Sequence, residues 1–195
     1  MRPVVPPVPA GMERAGNAFT RWLGRTVLRL GGWRLDGPIP ELDKVLVIVA
    51  PHSSYWDAVW GLAAKVALGV RVGFMIKKEA CIGPLGWLIR RMGGIPIDRK
   101  EPGGVVREVA RRYRERPRMW LGIAPEGTRR PVERWKTGFW RIAKAAGVPV
   151  LCVYFHYPER RIGVGELFTP GEDAEADIAR MRASFAPYRG KNRGV

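Results

Sequence analysis

Short runs of apolar residues alternate along the chain with segments in which apolar residues recur every three to four positions. The first pattern is typical of buried strands and the second of amphipathic helices. Six strands are predicted, at Val45–Ala50, Val70–Ile76, Gly94–Ile97, Met119–Ala124, Val148–Tyr157 and Arg161–Phe168. Helices are predicted at Ser54–Leu68, Gly83–Met92, Val105–Arg116, Thr137–Ala146 and Ala174–Phe185. This alternation predicts an α/β fold in one domain, with a mostly parallel central sheet flanked by helices.

The segment before the first strand has a different character. After a proline-rich lead, a helix is predicted over Glu13–Leu30. Apolar residues share one side and arginines share the other: Phe19, Leu23, Val27 and Leu30 against Arg14, Arg21, Arg25 and Arg29. Trp22 lies at the border, and Leu28 breaks the pattern. Such a helix suits a membrane surface, but a surface helix that packs its apolar stripe on the core has the same pattern.

The charge balance narrows the range of partners. Among 195 residues, 34 Lys and Arg outnumber 18 Asp and Glu, which gives a formal net charge of +16. Because 46% of the residues are hydrophobic, intrinsic disorder is excluded despite this charge. So large a basic excess favours a polyanionic partner, which could be nucleic acid, an anionic membrane surface or a phosphorylated substrate.

The longest uncharged stretches, Val45–Trp56 and Ala145–Pro158, are both shorter than the ~18–20 residues that a membrane-spanning helix needs. The proline-rich start lacks the continuous apolar core of a signal peptide. Cys81 and Cys152 match neither a disulfide framework nor a zinc-binding spacing. We therefore expect a reduced, cytoplasmic-side protein without a transmembrane span, which can still lie on a membrane as a peripheral protein.

The first predicted strand runs directly into the sequence PHSSYWD, which contains His52 and Asp57. If His52 lies in the turn and Ser53 or Ser54 caps the following helix, Asp57 projects from the first helical turn towards the imidazole. A carboxylate on one ring nitrogen fixes the tautomer and leaves the other nitrogen free to accept a proton. The spacing from Ser54 to Asp57 is also that of a capping box, which would make the acid purely structural.

Two more predicted strands end in polar motifs. The sequence APEGTRR follows the fourth strand and contributes Glu126, a tight turn at Gly127, Thr128 and Arg129. Arg99 follows the third strand. Ligands gather beyond the carboxyl ends of parallel strands, and arginine suits bidentate phosphate binding. A pocket for an anionic substrate is therefore predicted beside His52, although each arginine could equally form a surface ion pair of little energetic value.

Four segments together resemble the glycerolipid acyltransferase family, which includes the lysophosphatidate (1-acylglycerol-3-phosphate) acyltransferases. HSSYWD resembles its H-x4-D block, PEGTR its third block and GVPVLCV, at Gly147–Val153, its fourth. The segment KKEACIGPLGWLIRRMGGIPIDR resembles the second block, with Lys78, Glu79, Pro84, Gly86, Gly94 and Arg99. WKTG, at Trp135–Gly138, resembles the lysine–glycine pair that follows the third block. The resemblance runs from about Val45 to Val153 and rests on four blocks in the family's order.

The resemblance implies a glycerol-phosphate acyltransferase-like fold over residues 35–195, preceded by the lead and basic helix of residues 1–34. It implies that His52 is the general base and that Asp57 orients it. A lysophospholipid hydroxyl would then attack an acyl thioester, carried by coenzyme A or acyl carrier protein, without a metal or cofactor. The substrate-binding residues implied are Lys78, Arg99, Glu126, Gly127, Thr128, Arg129 and Lys136.

Some alternatives stay open. Pro51 and Arg130 replace the asparagine and the serine that are common in the family, so another lysolipid, such as a lyso-ornithine lipid, is an alternative acceptor. A basic nucleic-acid-binding module is the main rival, but no recognition motif appears and no specific nucleic-acid partner is expected. A hydrolase lacks the G-x-S-x-G motif. A lipid carrier that has lost turnover would not need both His52 and Asp57.

Overall fold

A mostly parallel sheet forms the centre of the molecule. Its strands are β1 (Arg34–Asp36), β2 (Lys44–Ala50), β3 (Val72–Lys77), β4 (Gly94–Ile97), β5 (Met119–Ile123), β6 (Val150–His156) and β7 (Arg161–Phe168). The computed structural model describes residues 5–10, 12–97 and 102–194. Within these residues the strand order is β1-β7-β6-β2-β5-β3-β4. Strands β6, β2, β5, β3 and β4 run parallel, and β7 lies antiparallel to β6.

Helices flank this sheet, and the predicted α/β fold is confirmed. They are α1 (Ala18–Leu30), α2 (Trp56–Leu68), α3 (Gly83–Arg91), α4 (Pro102–Glu115), α5 (Gly138–Ala146) and α6 (Ala174–Ser184), with a short 3₁₀ helix at Lys78–Cys81. Strand β1 was not predicted, because three residues with charged ends carry no apolar run. It is held by parallel pairing with β7, far along the chain.

The core lies on both faces of the sheet, and side chains of β2 contribute to each face. Leu46 and Ile48 point into a cluster with residues of α4 and α5, including Tyr113 and Phe139. Val45 and Val47 point to the opposite face. Because successive side chains of a strand alternate between faces, a strand covered on both sides must be apolar throughout, and β2 is apolar from Val45 to Ala50.

Helix α1 begins at Ala18, later than predicted, because Asn17 caps it: the Asn17 side chain accepts from the Thr20 N–H and the Thr20 hydroxyl accepts from the Asn17 N–H. Its face towards α2 is formed by Gly24 and by Leu28, the residue that breaks the sequence pattern. A Cβ at Gly24 would lie 2.5 Å from the backbone nitrogen of Ala67, so glycine permits this close helix contact.

The apolar stripe predicted for this helix therefore does not face the core. Phe19, Trp22, Leu23 and Leu30 are exposed, Leu30 to 85%. Of the predicted stripe, Val27 alone packs against the buried cluster that contains Leu28 of α1 and Ala67 of α2. The helix thus contacts the domain through one face and leaves an apolar surface, bordered by arginines, open to the surroundings. None of the helices in the described part of the chain is long and apolar enough to cross a membrane.

Strand order decides where the polar motifs meet. Strand β2 lies between β5 and β6, with Ile48 opposite Ile123 and Ala50 opposite Tyr154. All three strands are parallel, so the segments that follow them emerge at one edge of the sheet. It carries the turn after Ala50, the turn after Ile123 and the end of β6. We call it the catalytic edge, after the expectation from the sequence that His52 acts there.

Candidate active site

The turn between β2 and α2 is built around the carboxylate of Asp57. Asp57 lies in the first turn of α2, and its Oδ2 accepts from the backbone N–H groups of Ser53 and Ser54, both at 2.8 Å. Ser54 supplies its own hydroxyl oxygen to the Trp56 N–H at 3.2 Å. The Asp57 carboxylate thus accepts backbone N–H groups that precede α2 and have no partner within the helix.

The same carboxylate faces the imidazole of His52. Nδ1 of His52 lies 3.3 Å from Oδ2 of Asp57, and the His52 side chain is 19% exposed while that of Asp57 is fully buried. Because Nδ1 faces the carboxylate, the neutral imidazole carries its proton on Nδ1. Nε2, the other ring nitrogen, then carries the lone pair and can accept a proton from a bound hydroxyl.

A further donor on Asp57 was not found in the sequence. The hydroxyl of Tyr157, just beyond β6, donates to Oδ1 of Asp57 at 2.5 Å. Burial raises the pKa of the Asp57 carboxyl, but the hydrogen bonds from His52, Tyr157 and Ser54 outweigh it, so the net pKa lies below its ordinary value. Asp57 therefore stays ionised and can stabilise a positive charge on His52.

The turn after β5 places a second buried carboxylate behind His52. Gly127 has a φ of +67°, which glycine adopts without strain, and its N–H closes the turn on the Ala124 carbonyl at 3.1 Å. Glu126, only 1% exposed, accepts the His52 backbone N–H on both oxygens, at 2.9 and 3.1 Å. Burial raises the pKa of Glu126 above its ordinary value, against the opposing effect of the nearby Arg193 charge.

Arg193 is the second residue that sequence reasoning missed. Its Nη1 lies 3.4 Å from Oε1 of Glu126, and its Nη2 donates to the Arg130 carbonyl at 2.8 Å. It belongs to a segment beyond the last helix, with no periodic pattern and no motif. No local signal in the sequence could have placed it at the catalytic edge.

The predicted cationic residues are distributed around this centre. The Arg129 guanidinium lies 4.0 Å from the centre of the Tyr55 ring, beside the β2–α2 turn. Lys136 passes close to Gly127 and donates its backbone N–H to the Pro125 carbonyl at 3.0 Å. Thr128 accepts the Arg130 N–H at 3.2 Å and so shapes the turn.

Two further predicted residues come from the second block. Lys78 is exposed and begins the 3₁₀ helix that follows β3. Arg99 lies outside the described residues. Within residues 5–10, 12–97 and 102–194, no group of three His, Cys, Asp or Glu residues could hold a metal ion.

The chemistry that this arrangement allows is specific. The ionised, buried Asp57 faces one side of the His52 imidazole, and the buried Glu126 accepts the His52 backbone N–H. Arg129 and Lys136 bring positive charge to the same region. An imidazole with one ring nitrogen free, next to positive charge, is chemically able to take a proton from a hydroxyl on an anionic substrate.

Comparison with known proteins points in the same direction. The family model described as Acyltransferase matches residues 36–156. The 1-acyl-sn-glycerol-3-phosphate acyltransferase of Streptococcus pneumoniae is 31% identical over 150 residues, covering 72% of this chain and 54% of that protein. The enzyme of the same name from Pseudomonas aeruginosa is 32% identical over 139 residues, covering 68% of this chain and 52% of that protein.

A solved structure agrees with the fold. The crystal structure of the 1-acyl-sn-glycerophosphate acyltransferase from Thermotoga maritima superimposes with a TM-score of 0.57 at 20% identity, covering 83% of this chain and 73% of that one. The chain spans about half the length of the two bacterial relatives. The family match extends over more than half of the chain and includes both the His52 turn and the turn after β5. This chain therefore belongs to the acyltransferase family.

Proposed function

We propose that the protein transfers a fatty acyl group from an acyl thioester to the free hydroxyl of a lysophospholipid such as 1-acylglycerol-3-phosphate. The observation that carries the proposal is the contact between His52 and Asp57, 3.3 Å apart at the catalytic edge and next to the turn that holds Glu126. The names of the two bacterial relatives support the substrate class.

The proposed reaction is a direct transfer. Nε2 of His52 takes the proton of the acceptor hydroxyl as its oxygen attacks the thioester carbonyl, and Asp57 stabilises the imidazolium that forms. Collapse of the tetrahedral intermediate breaks the carbon–sulfur bond. The imidazolium returns the proton to the departing thiolate, so the products are an ester and a free thiol, carried by coenzyme A or by acyl carrier protein.

The acceptor's phosphate is assigned to the positive residues around the turn. Arg129, which stacks on the Tyr55 ring, and Lys136, which passes close to Gly127, are proposed to hold the phosphate while the glycerol hydroxyl approaches His52. Lys78 and Arg99, both from the second block, are proposed as further phosphate contacts. Arg130 adds a positive charge that favours an acceptor with extra negative charge.

The decisive experiment is a panel of lysolipid acceptors, each offered with acyl-CoA and with acyl carrier protein as donor. We expect product with at least one combination, and a loss of more than ~100-fold in the His52→Ala variant, since general-base help contributes about 10²–10⁴-fold. Turnover that survives this substitution in a folded protein would exclude His52 as the base.

Membrane docking through α1 is the second part of the proposal. Phe19, Trp22 and Leu23 form an exposed apolar surface, with the Phe19 and Trp22 rings stacked at 5.8 Å. Beside it, Arg14, Arg21 and Arg25 line a cavity of about 510 Å³ together with residues 5–8 and Leu68. Apolar side chains bordered by arginines suit an anionic membrane surface, where each surface cation contributes about 1 kcal/mol.

Vesicle sedimentation tests this docking. Binding is expected to be tight on acidic vesicles, weak on zwitterionic ones and reduced by salt. The double variant W22A/L23A should weaken binding at least about 10-fold, because two exposed apolar side chains no longer enter the interface. Leu167→Ala removes an equally exposed leucine from β7 and serves as the control. Equal binding of W22A/L23A and the parent would assign the membrane contact elsewhere.

A further inference from the structure

The segment Arg189–Gly194, here called the clasp, folds back onto the catalytic edge. The Tyr157 N–H donates to the Arg189 carbonyl at 2.9 Å, and the Arg189 N–H donates to Nδ1 of His156 at 3.1 Å. A turn closed by the Gly190 N–H on the Arg193 carbonyl, at 2.8 Å, then reverses the chain. The clasp therefore starts beside the end of β6, to which it is hydrogen-bonded, and crosses the site from there.

The clasp is fastened to the loop that carries His52. The Asn192 backbone N–H donates to the Ser53 hydroxyl at 3.2 Å, and its side-chain amide donates to the Ser53 carbonyl at 2.7 Å. A Cβ at Gly190 would lie 2.5 Å from the Ser53 hydroxyl oxygen. Only glycine lets the clasp approach the loop this closely.

Arg193 connects the clasp to the turn after β5, which carries Glu126. Nη1 meets Glu126 and also donates to the Gly194 carbonyl at 2.8 Å, while Nη2 donates to the Arg130 carbonyl. The Arg193 side chain is 17% exposed. Because both terminal nitrogens already have partners, this guanidinium acts within the protein and is poorly suited to hold the substrate's phosphate.

The physical need for such a cation lies in the burial of Glu126. A buried carboxylate is costly to ionise unless it is paired, and burial raises the pKa of Glu126 while the Arg193 charge and the His52 N–H lower it. An ionised Glu126 is a strong acceptor for the His52 N–H on both oxygens. A neutral Glu126 holds that backbone less firmly.

Other charges also face this pair. On the side of His52 these are its own ring and, beyond it, Asp57. On the side of the turn, Arg129 and Arg130 follow Glu126 closely in the chain, and Lys136 passes close to Gly127. These groups are present in every variant below, so a change on altering the clasp reports on Arg193.

We propose that Arg193 is a positioning residue for acyl transfer: it pairs with Glu126, ties the turn of Arg130 to the clasp, and so fixes the backbone from which the His52 imidazole projects. Its kinetic test rests on the proposed function, whereas its structural test does not. The two can therefore fail separately.

The kinetic test compares Arg193→Met with Arg193→Lys and uses Arg189→Met as the matched control. Arg189 is exposed, and its contacts with the described part of the chain are made by its backbone. R193M should lower kcat about 10–100-fold, the cost of a displaced catalytic group, with little change in KM for either substrate. R193K, which keeps the positive charge, should restore part of kcat.

The structural test follows the His52 backbone amide by NMR as a function of pH. Because this N–H donates to Glu126, its chemical shift reports the ionisation of that carboxylate. The midpoint should move to higher pH in R193M and stay in place in R189M. If R193M does not fold, Arg193→Gln, which keeps donors but not the charge, carries the same expectation.

The possible results are distinct. An amide midpoint that is the same in R193M, or in R193Q, as in the parent overturns the inference, and so does a KM rise without a kcat loss. A shifted midpoint in a protein that transfers no acyl group would support the role of Arg193 at this edge and reject the proposed function.

Discussion

Replacing Asp57 by Asn is the sharpest test of how the site works. The carboxylate receives donors on every side: the Ser53 and Ser54 N–H groups and His52 on Oδ2, and the Tyr157 hydroxyl on Oδ1. Asn retains one oxygen, which can take the Oδ2 position with its three donors. Its NH₂ then faces Tyr157, whose hydroxyl can rotate to accept. The substitution therefore removes the charge and largely keeps the geometry.

The magnitude follows from the distance. One negative and one positive charge 3.3 Å apart attract by about 5 kcal/mol at an effective dielectric of 20. This attraction acts only when the imidazolium has formed, so it stabilises the transition state more than the ground state. A loss of about 5 kcal/mol corresponds to ~10³–10⁴-fold in kcat, within the range seen when a histidine loses its carboxylate partner.

The assay is acyl transfer under saturating substrate, with Asp43→Asn as the control. Asp43 is an exposed acid whose ion pair with Arg118 lies away from the catalytic edge. D43N should keep kcat within about 2-fold, because exposed pairs are worth little. A folded D57N variant that retains more than a tenth of the parent kcat would show that the Asp57 charge does not stabilise the imidazolium.

The stability of D57N has a pH signature of its own. The pKa of Asp57 is lowered in the folded state, so its contribution to the free energy of unfolding is present above the unfolded value of 3.8 and disappears as the pH falls below it. The difference in unfolding free energy between parent and D57N should therefore shrink as the pH falls below 3.8. Chemical denaturation from neutral to acid pH measures it.

Two further substitutions test the supporting structure. Tyr157→Phe removes the hydrogen bond to Asp57 and should lower the free energy of unfolding by about 1.5 kcal/mol, with a smaller loss of kcat than D57N; unchanged stability in urea denaturation would contradict the contact. Gly24→Ala should lower the melting temperature, although alanine is intrinsically the better helix former by about 1 kcal/mol, because its Cβ would lie 2.5 Å from the Ala67 nitrogen. Gly61→Ala, whose Cβ would lie at an ordinary contact distance of 3.5 Å from Phe155, is the control and should be neutral or stabilising.

Periodicity predicted most of the fold because it reports on local conformation. The apolar run of β2 and the helical spacing of α2 and α5 reflect which side of each element is buried, and this information is contained within each segment. The position of His52 and Glu126 at one edge also follows from the sequence, since parallel strands direct the residues after them to the same side.

Periodicity alone left the orientation of α1 open. Its apolar stripe suits either the core or a membrane surface, and the structure leaves Phe19, Leu23 and Leu30 exposed. The shape of the helix surface at Gly24 decided which side of α1 packs on α2. Gly24 allows α1 to approach α2 at backbone distance, and Leu28 then fills the space beside it.

Most of the elements and the contact between His52 and Asp57 could be predicted from the sequence, because each depends on neighbours within a few positions. The residues that support this pair could not be predicted. Tyr157 meets Asp57 across 100 positions, and Arg193 meets Glu126 across 67. Contacts over such separations depend on strand order and on the path of the closing segment, which single-segment patterns do not encode.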